Sequence, residues 1–223
     1  MGKFATRYCV LNVIGESMRK TILHLCADIG SDSRYFDLDP SFDVIKVGAD
    51  IGVENFSYEG DVHGVIANPV CTKFSNVNQH RATIDDSEGL FLVEHCLRII
   101  DEVKPKFWVI ENPAAGSLKN YLGKPKAIYQ PWQYGSPWTK RTALWGDFVM
   151  PEPLYKTWDD VPNKLDLWAR KGRKPSIVWW HKSAAAFIPE FNWAVDMIDS
   201  DMALRSMCSQ GFAEQFYLAN KEL

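Results

Sequence analysis

The stretch I-L-H-L-C-A-D-I-G-S-D-S, residues 22–33, decides the fold. Ile22 to Cys26 is a short apolar run that stops at Ala27-Asp28-Ile29-Gly30-Ser31, which reads as a buried strand feeding a turn. Ser31 to Asp37 then opens a helix, with Ser or Asp as its cap. Similar punctuation recurs downstream. Val44 to Val47 reads as a second strand closed by Gly48. Val62 to Ala67 reads as a third, ended by Asn68-Pro69, because a proline cannot donate to a ladder. Ile84 to Val103 predicts a helix, with Leu90, Val93, Leu97 and Ile100 at helical spacing and Pro105 marking its end. Phe107 to Ile110 is the next strand and stops at Glu111-Asn112-Pro113.

Strands alternating with helical segments predict an α/β domain with a largely parallel sheet. Such sheets bind ligands at the carboxyl ends of their strands. The segments A-D-I-G-S, N-P-V-C and E-N-P all fall at such ends, so they converge on one active site. From Pro151 to about Pro189 the pattern changes: Pro151, Pro153, Pro162 and Pro175 break it, and basic residues alternate with Trp. The expected division is a catalytic α/β core over 1–147, a basic, Trp-rich, loop-rich insertion over 148–200, and a helical closing segment over 201–223, interrupted near Gly211.

Composition sets the outer limits. With 223 residues, 46% of them apolar, the chain builds one domain, with or without a small appendage. A net charge of −3 excludes a global basic field that would coat nucleic acid indiscriminately, while leaving room for a local basic cleft. Lys3, Arg7, Glu16 and Arg19 interrupt every apolar run of a would-be secretory leader, and no stretch approaches the ~20 apolar residues that span a bilayer. No membrane partner is therefore expected. The five cysteines are scattered, odd in number and without a C-x-x-C pair. That speaks against a disulfide scaffold or a cysteine zinc site and for a reducing cytoplasm. The five histidines lack H-E-x-x-H spacing, so no metal site is expected.

Four features carry candidate chemistry, each beside a plainer alternative. Cys71, in a loop after a strand, is placed as a thiolate nucleophile or is a buried free cysteine. Cys9, Cys26, Cys96 and Cys208 lie in or beside apolar runs and read as packing residues. Glu111 at the mouth of the sheet is either a carboxyl kept protonated by desolvation or a residue that fixes the turn through backbone N–H groups. Residues 27–33 either cradle a nucleotide-like cofactor or form an ordinary strand–helix turn. Lys164, Arg170, Lys171, Arg173, Lys174 and Lys182, interleaved with Trp168, Trp179 and Trp180, are either a nucleic-acid surface or a solvated basic loop packed by tryptophans.

Taken in order, these motifs resemble those of the C5-cytosine DNA methyltransferases, especially short phage-type members. L-C-A-D-I-G-S-D-S is similar to the family's cofactor loop, and N-P-V-C-T-K-F-S (68–75) to its Pro-Pro-Cys nucleophile loop. I-E-N-P (110–113) resembles the Glu-Asn motif, Q-Y-G-S-P-W-T-K-R-T-A-L-W-G (133–146) the basic motif that follows, and residues 205–220 the closing motif. The resemblance implies a Rossmann-like fold that uses S-adenosylmethionine. It also implies attack of Cys71 on ring C6 of a flipped-out cytosine, with protonated Glu111 at N3 and Lys140 and Arg141 on the base carbonyl or a flanking phosphate. Asp28, Ile29, Gly30, Ser31, Asp50, Asn68 and Pro69 would line the cofactor pocket. Ser75, Asn112, Trp168, Arg170, Arg173 and Lys174 would meet the substrate, which is DNA or a pyrimidine nucleotide. The alternatives are the same cysteine-adduct chemistry with a different electrophile and a relative that retains only DNA or partner binding. The chain departs from the family pattern at several points. Asp28 stands for the first glycine of the cofactor loop and Val70 for the second proline; Gly48-Ala49 replaces the ribose-binding acid, leaving Asp50 nearby. The Gln-x-Arg-x-Arg pattern is reduced to Lys140-Arg141, and residues 148–204 are short for a target-recognition domain.

Overall fold

The computed structural model describes residues 6–9, 19–70, 74, 86–162, 164 and 167–223. Its centre is a six-stranded sheet of mixed α/β architecture, ordered β3-β2-β5-β6-β8-β7. The strands are β2 (Lys20–Leu25), β3 (Phe42–Val47), β5 (Val62–Ala67), β6 (Phe107–Pro113), β7 (Ala127–Tyr129) and β8 (Thr142–Asp147). The first four run parallel, and the β8–β7 pair closes the edge in the antiparallel sense. A separate parallel pair joins β1 (Thr6–Cys9) to β4 (Phe56–Glu59). The helices are α1 (Arg34–Leu38), α2 (Ser87–Val103), α3 (Lys119–Leu122), α4 (Asp201–Ser206) and α5 (Gln210–Asn220). The alternating α/β pattern expected from the sequence is present.

Burial on both faces explains why the central strands read as continuous apolar runs. Every residue of β5 is buried. Leu23, Leu25, Val65, Ala67 and Ile110 pack on the α2 side with Val93, Cys96 and Ile99. Ile22, Ile66, Val109 and Leu144 pack on the other side with Phe36 of α1 and Phe212, Ala213 and Phe216 of α5.

Several boundaries differ from the sequence expectation. The first strand gives way at Cys26, whose φ of 52° lies in the left-handed region and cannot continue a ladder. The helix expected from Ser31 begins only at Arg34. β6 does not stop at Glu111. Its parallel partner β5 leaves after Ala67↔Ile110, but β8 continues to pair through Pro113↔Thr142. The closing segment breaks at Met207–Ser209, between α4 and α5, and Gly211 lies inside α5. A Cβ on Gly211 would come within 1.9 Å of the Tyr134 carbonyl oxygen, so the bare Cα is what lets α5 seat against the 131–134 turn. The Ser209 hydroxyl caps this helix by accepting from Phe212 N–H.

Among the described residues of 148–200 the elements are short 3-10 turns, such as Ile177–Trp179 and Lys182–Phe187. These residues have their own apolar centre of Ile177, Trp180, Ile188 and Phe191, closed by Trp138 from the core and with Ile29 of the loop after β2 packed against it. Among the described residues no helix is long and apolar enough to cross a membrane.

Candidate active site

Side chains alternate across a strand, so every second residue shares a face. On the α5 face the inward series are Ile22–His24 on β2, Ile66–Asn68 leaving β5, and Val109–Glu111 on β6. Each turns polar at its last position. The carboxyl ends of three adjacent strands therefore present His24, Asn68 and Glu111 side by side.

His24 is wholly buried and bridges two loops. Its Nε2 lies 2.8 Å from Asn68 Oδ1 and its Nδ1 2.9 Å from Ser33 Oγ. An amide oxygen only accepts, so Nε2 donates and Nδ1 takes the serine proton. Burial lowers the His24 pKa, which keeps the ring neutral and fixes this tautomer. The amide group of Asn68 is thereby aimed away from His24, and it bonds toward both Asp32 and Glu111.

Glu111 is the most costly group in the cluster. Its side chain is 13% exposed, and Oε1 is buried without a hydrogen-bond partner. Burial pushes the carboxyl above its usual pKa and the Asp32 carboxylate pushes the same way, while the Lys140 cation and Asn68 pull it back. Asp32 shows the same pattern: burial raises it, and Lys140 lowers it. Lys140 Nζ stands 3.8 Å from Glu111 Oε1, and it donates to the carbonyls of Ser206 and Met207 at 2.9 and 3.3 Å. Lys140 thus ties the closing segment to the acid. Arg141, its neighbour, is exposed. A cavity of about 20 Å³, enough for a single water, is lined by Glu111, Asp32, Cys208 and Ile66.

Asn112 faces the opposite side of β6. Its amide donates to the Pro69 carbonyl at 3.0 Å, anchoring the segment Asn68-Pro69-Val70 that runs into Cys71. Cys71 and Ser75 lie outside the described residues. Of the remaining cysteines whose side chains are described, Cys208 is buried with its thiol pushed well above the usual range by burial. Cys96 is buried too, and its thiol is raised by hydrogen bonding with Cys26 and by burial. Thiols held so firmly protonated are poor nucleophiles.

Gly30 turns the loop after β2 with a φ of 86°, and its N–H donates to the Asp28 carboxylate at 3.3 Å. Asp28 and Asp50 are both exposed, at the ends of β2 and β3. A Cβ on Gly48 would meet Asp50 Oδ1 at 2.9 Å and the Ala27 carbonyl at 3.3 Å, so the missing side chain leaves room for Asp50 to lie over this end of the sheet. Exposed carboxylates around glycine turns suit a ligand that offers an ammonium or sulfonium and a ribose diol. The loop is held from behind: Ser31 Oγ accepts from Cys208 N–H at 2.9 Å, and Gln210 Nε2 donates to the Ser31 carbonyl at 3.3 Å.

A second buried carboxylate organises the far side. Glu190 accepts from Trp138 Nε1 at 2.5 Å, from Ser136 Oγ at 2.7 Å and from Gln210 N–H at 2.9 Å, joining the insertion to two core segments. Glu190, His24 and Asp32 carried no signal of their own in the sequence. Each is a lone polar residue whose partners lie far along the chain. Trp168 is 63% exposed, and Arg170 and Arg173 are exposed beside it. Lys174 Nζ sits over the rings of Trp132 and Trp158, 5.2 and 5.3 Å from their centres. Among the described residues no group of three or more His, Cys, Asp or Glu is arranged to hold a metal ion.

Comparison with known proteins places this geometry in context. Over 100 residues the chain is 31% identical to the "Probable DNA (cytosine-5)-methyltransferase" of Frog virus 3 (isolate Goorha). It is similar to a viral C5-cytosine methyltransferase. The match takes in 37% of this chain and 45% of the relative, so it spans about half the relative's length. No family model matches the chain. Among solved structures, a "putative DNA modification methyltransferase" encoded within an E. coli prophage overlays 57% of this chain and 46% of its own, at a TM-score of 0.40 and 19% identity. An overlay that loose carries no information about chemistry.

Proposed function

We propose that this chain transfers a methyl group to C5 of cytosine in DNA, with Cys71 as nucleophile and Glu111 as acid. The observation that carries the reading is Glu111 itself: a buried carboxyl, raised by its surroundings, at the strand end beside the segment that leads into Cys71. A carboxyl whose pKa is raised holds its proton to higher pH than an ordinary exposed glutamate and can donate it to a ring nitrogen. The 31% identity to the viral relative supports the same assignment.

In this mechanism the Cys71 thiolate bonds to C6 of a flipped-out cytosine. The electron pair of the C5–C6 double bond moves toward N3, where the Glu111 proton meets it. C5 becomes nucleophilic and takes the methyl group. The N3 proton returns to Glu111, and loss of the C5 proton to solvent then restores the double bond and expels the thiolate. Asp28, Gly30, Ser31 and Asp50 would hold S-adenosylmethionine, which would supply the electrophilic methyl group and leave as the neutral thioether. Asn68 orients Glu111 and is itself oriented by His24. Lys140 limits how far the Glu111 pKa rises and keeps the closing segment docked. Exposed Arg141 meets a flanking phosphate.

The test is transfer of labelled methyl from S-adenosylmethionine to DNA by the wild-type chain, Cys71→Ser and Glu111→Gln. Label in 5-methylcytosine that Cys71→Ser abolishes supports the assignment. Transfer that persists in Cys71→Ser overturns it.

A further inference from the structure

A second concavity lies away from the strand ends. It lies in the insertion, has a volume of about 550 Å³, and is lined chiefly by Trp168, Trp179, Trp180, Phe187, His181 and Ser183. That volume falls within the range of pockets that hold small organic ligands. Two of the indoles stand open, Trp168 at 63% and Trp179 at 62% exposure, and Phe187 is 73% exposed. The third, Trp180, is pinned from below, its Nε1 donating to the Trp168 carbonyl at 2.9 Å. Ser183 Oγ and His181 Nδ1 bond each other at 3.0 Å on the pocket wall, giving an otherwise aromatic site one polar edge. Aromatic planes left so open in a chain with a packed core are an exception to be explained.

Charge identifies the occupant. From Leu167 to Pro189 the sequence holds five cations (Arg170, Lys171, Arg173, Lys174 and Lys182) and no acid, in a chain whose net charge is −3. Lys182 Nζ donates to the Asp199 backbone carbonyl, and Lys174 sits over two indoles. Arg170, Lys171 and Arg173 are exposed on a turn that begins two residues after Trp168. A ligand that stacks on indoles and carries negative charge meets both features. A base inside a duplex has its faces covered by its neighbours, whereas an unstacked base on a phosphate backbone offers a free face and charge together.

We propose that this pocket binds an unstacked base of single-stranded DNA, with the 170–173 turn holding the adjoining phosphates. The site is separate from the Glu111 centre and would grip a strand opened beside the target. The choice of DNA rests on the function proposed above; the pocket's chemistry does not.

The experiment uses the full chain carrying Cys71→Ser, without S-adenosylmethionine, so catalysis cannot influence the result. Fluorescence anisotropy would follow a labelled single-stranded oligonucleotide, the same strand with abasic positions, and its duplex, across a salt series. Stacking on one aromatic platform predicts roughly 5- to 150-fold weaker single-strand binding in Trp179→Ala or Trp168→Ala. The abasic strand should be insensitive to both substitutions. Arg173→Ala should instead reduce the salt slope by about 0.7. Both tryptophans are exposed, so thermal unfolding of the variants should match the parent and exclude a folding defect. Single-strand affinity unchanged in Trp168→Ala and Trp179→Ala would overturn the proposal, as would equal losses for the abasic strand. A failure of methyl transfer with tryptophan-dependent binding intact would overturn the catalytic reading alone.

Discussion

Replacing Glu111 by Gln separates the acid's contribution to stability from its contribution to catalysis. At 3.8 Å from Lys140 Nζ, a charged Glu111 gains about 4 kcal/mol of attraction at an effective dielectric near 20. Burial and the Asp32 carboxylate outweigh that gain, since the pKa is raised and not lowered. A group raised in the folded state contributes stability that is complete below its unfolded pKa, about 4.3, and is lost as pH rises through the folded value. Wild type should therefore lose stability relative to Glu111→Gln as pH climbs from about 4.5 toward neutrality. The gap should reach about 1–3 kcal/mol, the cost of a buried polar group left unsatisfied. At roughly 2–4 °C per kcal/mol for a chain of this size, thermal unfolding across a pH series resolves it. Methyl transfer should fall about 10²- to 10³-fold in the same variant, as when one preorganised donor is removed. Parallel melting curves for the two proteins, or a Glu111→Gln deficit that grows with pH, would refute the reasoning.

Further outcomes follow from other contacts. Lys140→Met removes two carbonyl bonds to residues 206 and 207, should cost about 2–3 kcal/mol in urea unfolding, and should move the alkaline limb of the pH–rate profile, where Glu111 loses its proton, upward. Gly211→Ala drives a Cβ into the Tyr134 carbonyl and should cost about 1–3 kcal/mol or more, with α5 cleaved faster in limited proteolysis. His24 has a lowered pKa, so its contribution is complete above the unfolded value of about 6.5 and is lost as pH falls through the folded one. His24→Gln should flatten that acid-side loss in a pH series of melting temperatures, and an unchanged acid limb would contradict the neutral, Asn68-bonded ring.

The parts of the fold that the sequence disclosed are those with local signals. β2, β3 and β5 are apolar runs closed by Gly or Asn-Pro, and α2 shows its stripe of Leu90, Val93 and Leu97. The antiparallel edge was hidden. Thr142–Asp147 and Ala127–Tyr129 are short, and β8 mixes Trp145 and Leu144 with Thr142, Gly146 and Asp147; its identity as a strand comes from pairing with β6. The site divides along the same line. Glu111 announced itself as a carboxylate ending an apolar run. His24 looked like one more residue of the first strand, and its pairing with Asn68 spans 44 positions. Asp32 passed as a helix cap because nothing nearby shows that it shares a cluster with Glu111 and Lys140. Lys140 was visible as a basic residue, but its carbonyl partners lie 66 and 67 residues away and exist only once the closing segment has returned to the core.

The central claim is that Cys71 bonds covalently to the target cytosine while Glu111 holds N3. The most direct measurement uses DNA with 5-fluorocytosine at the target and S-adenosylmethionine, because fluorine cannot leave C5 as a proton does and the adduct persists. Mass spectrometry should find the DNA bonded to the peptide containing Cys71, with the adduct absent in Cys71→Ser and slower to form in Glu111→Gln. Methylation of ordinary cytosine without any adduct on the fluorinated base, or an adduct on another residue, would contradict it.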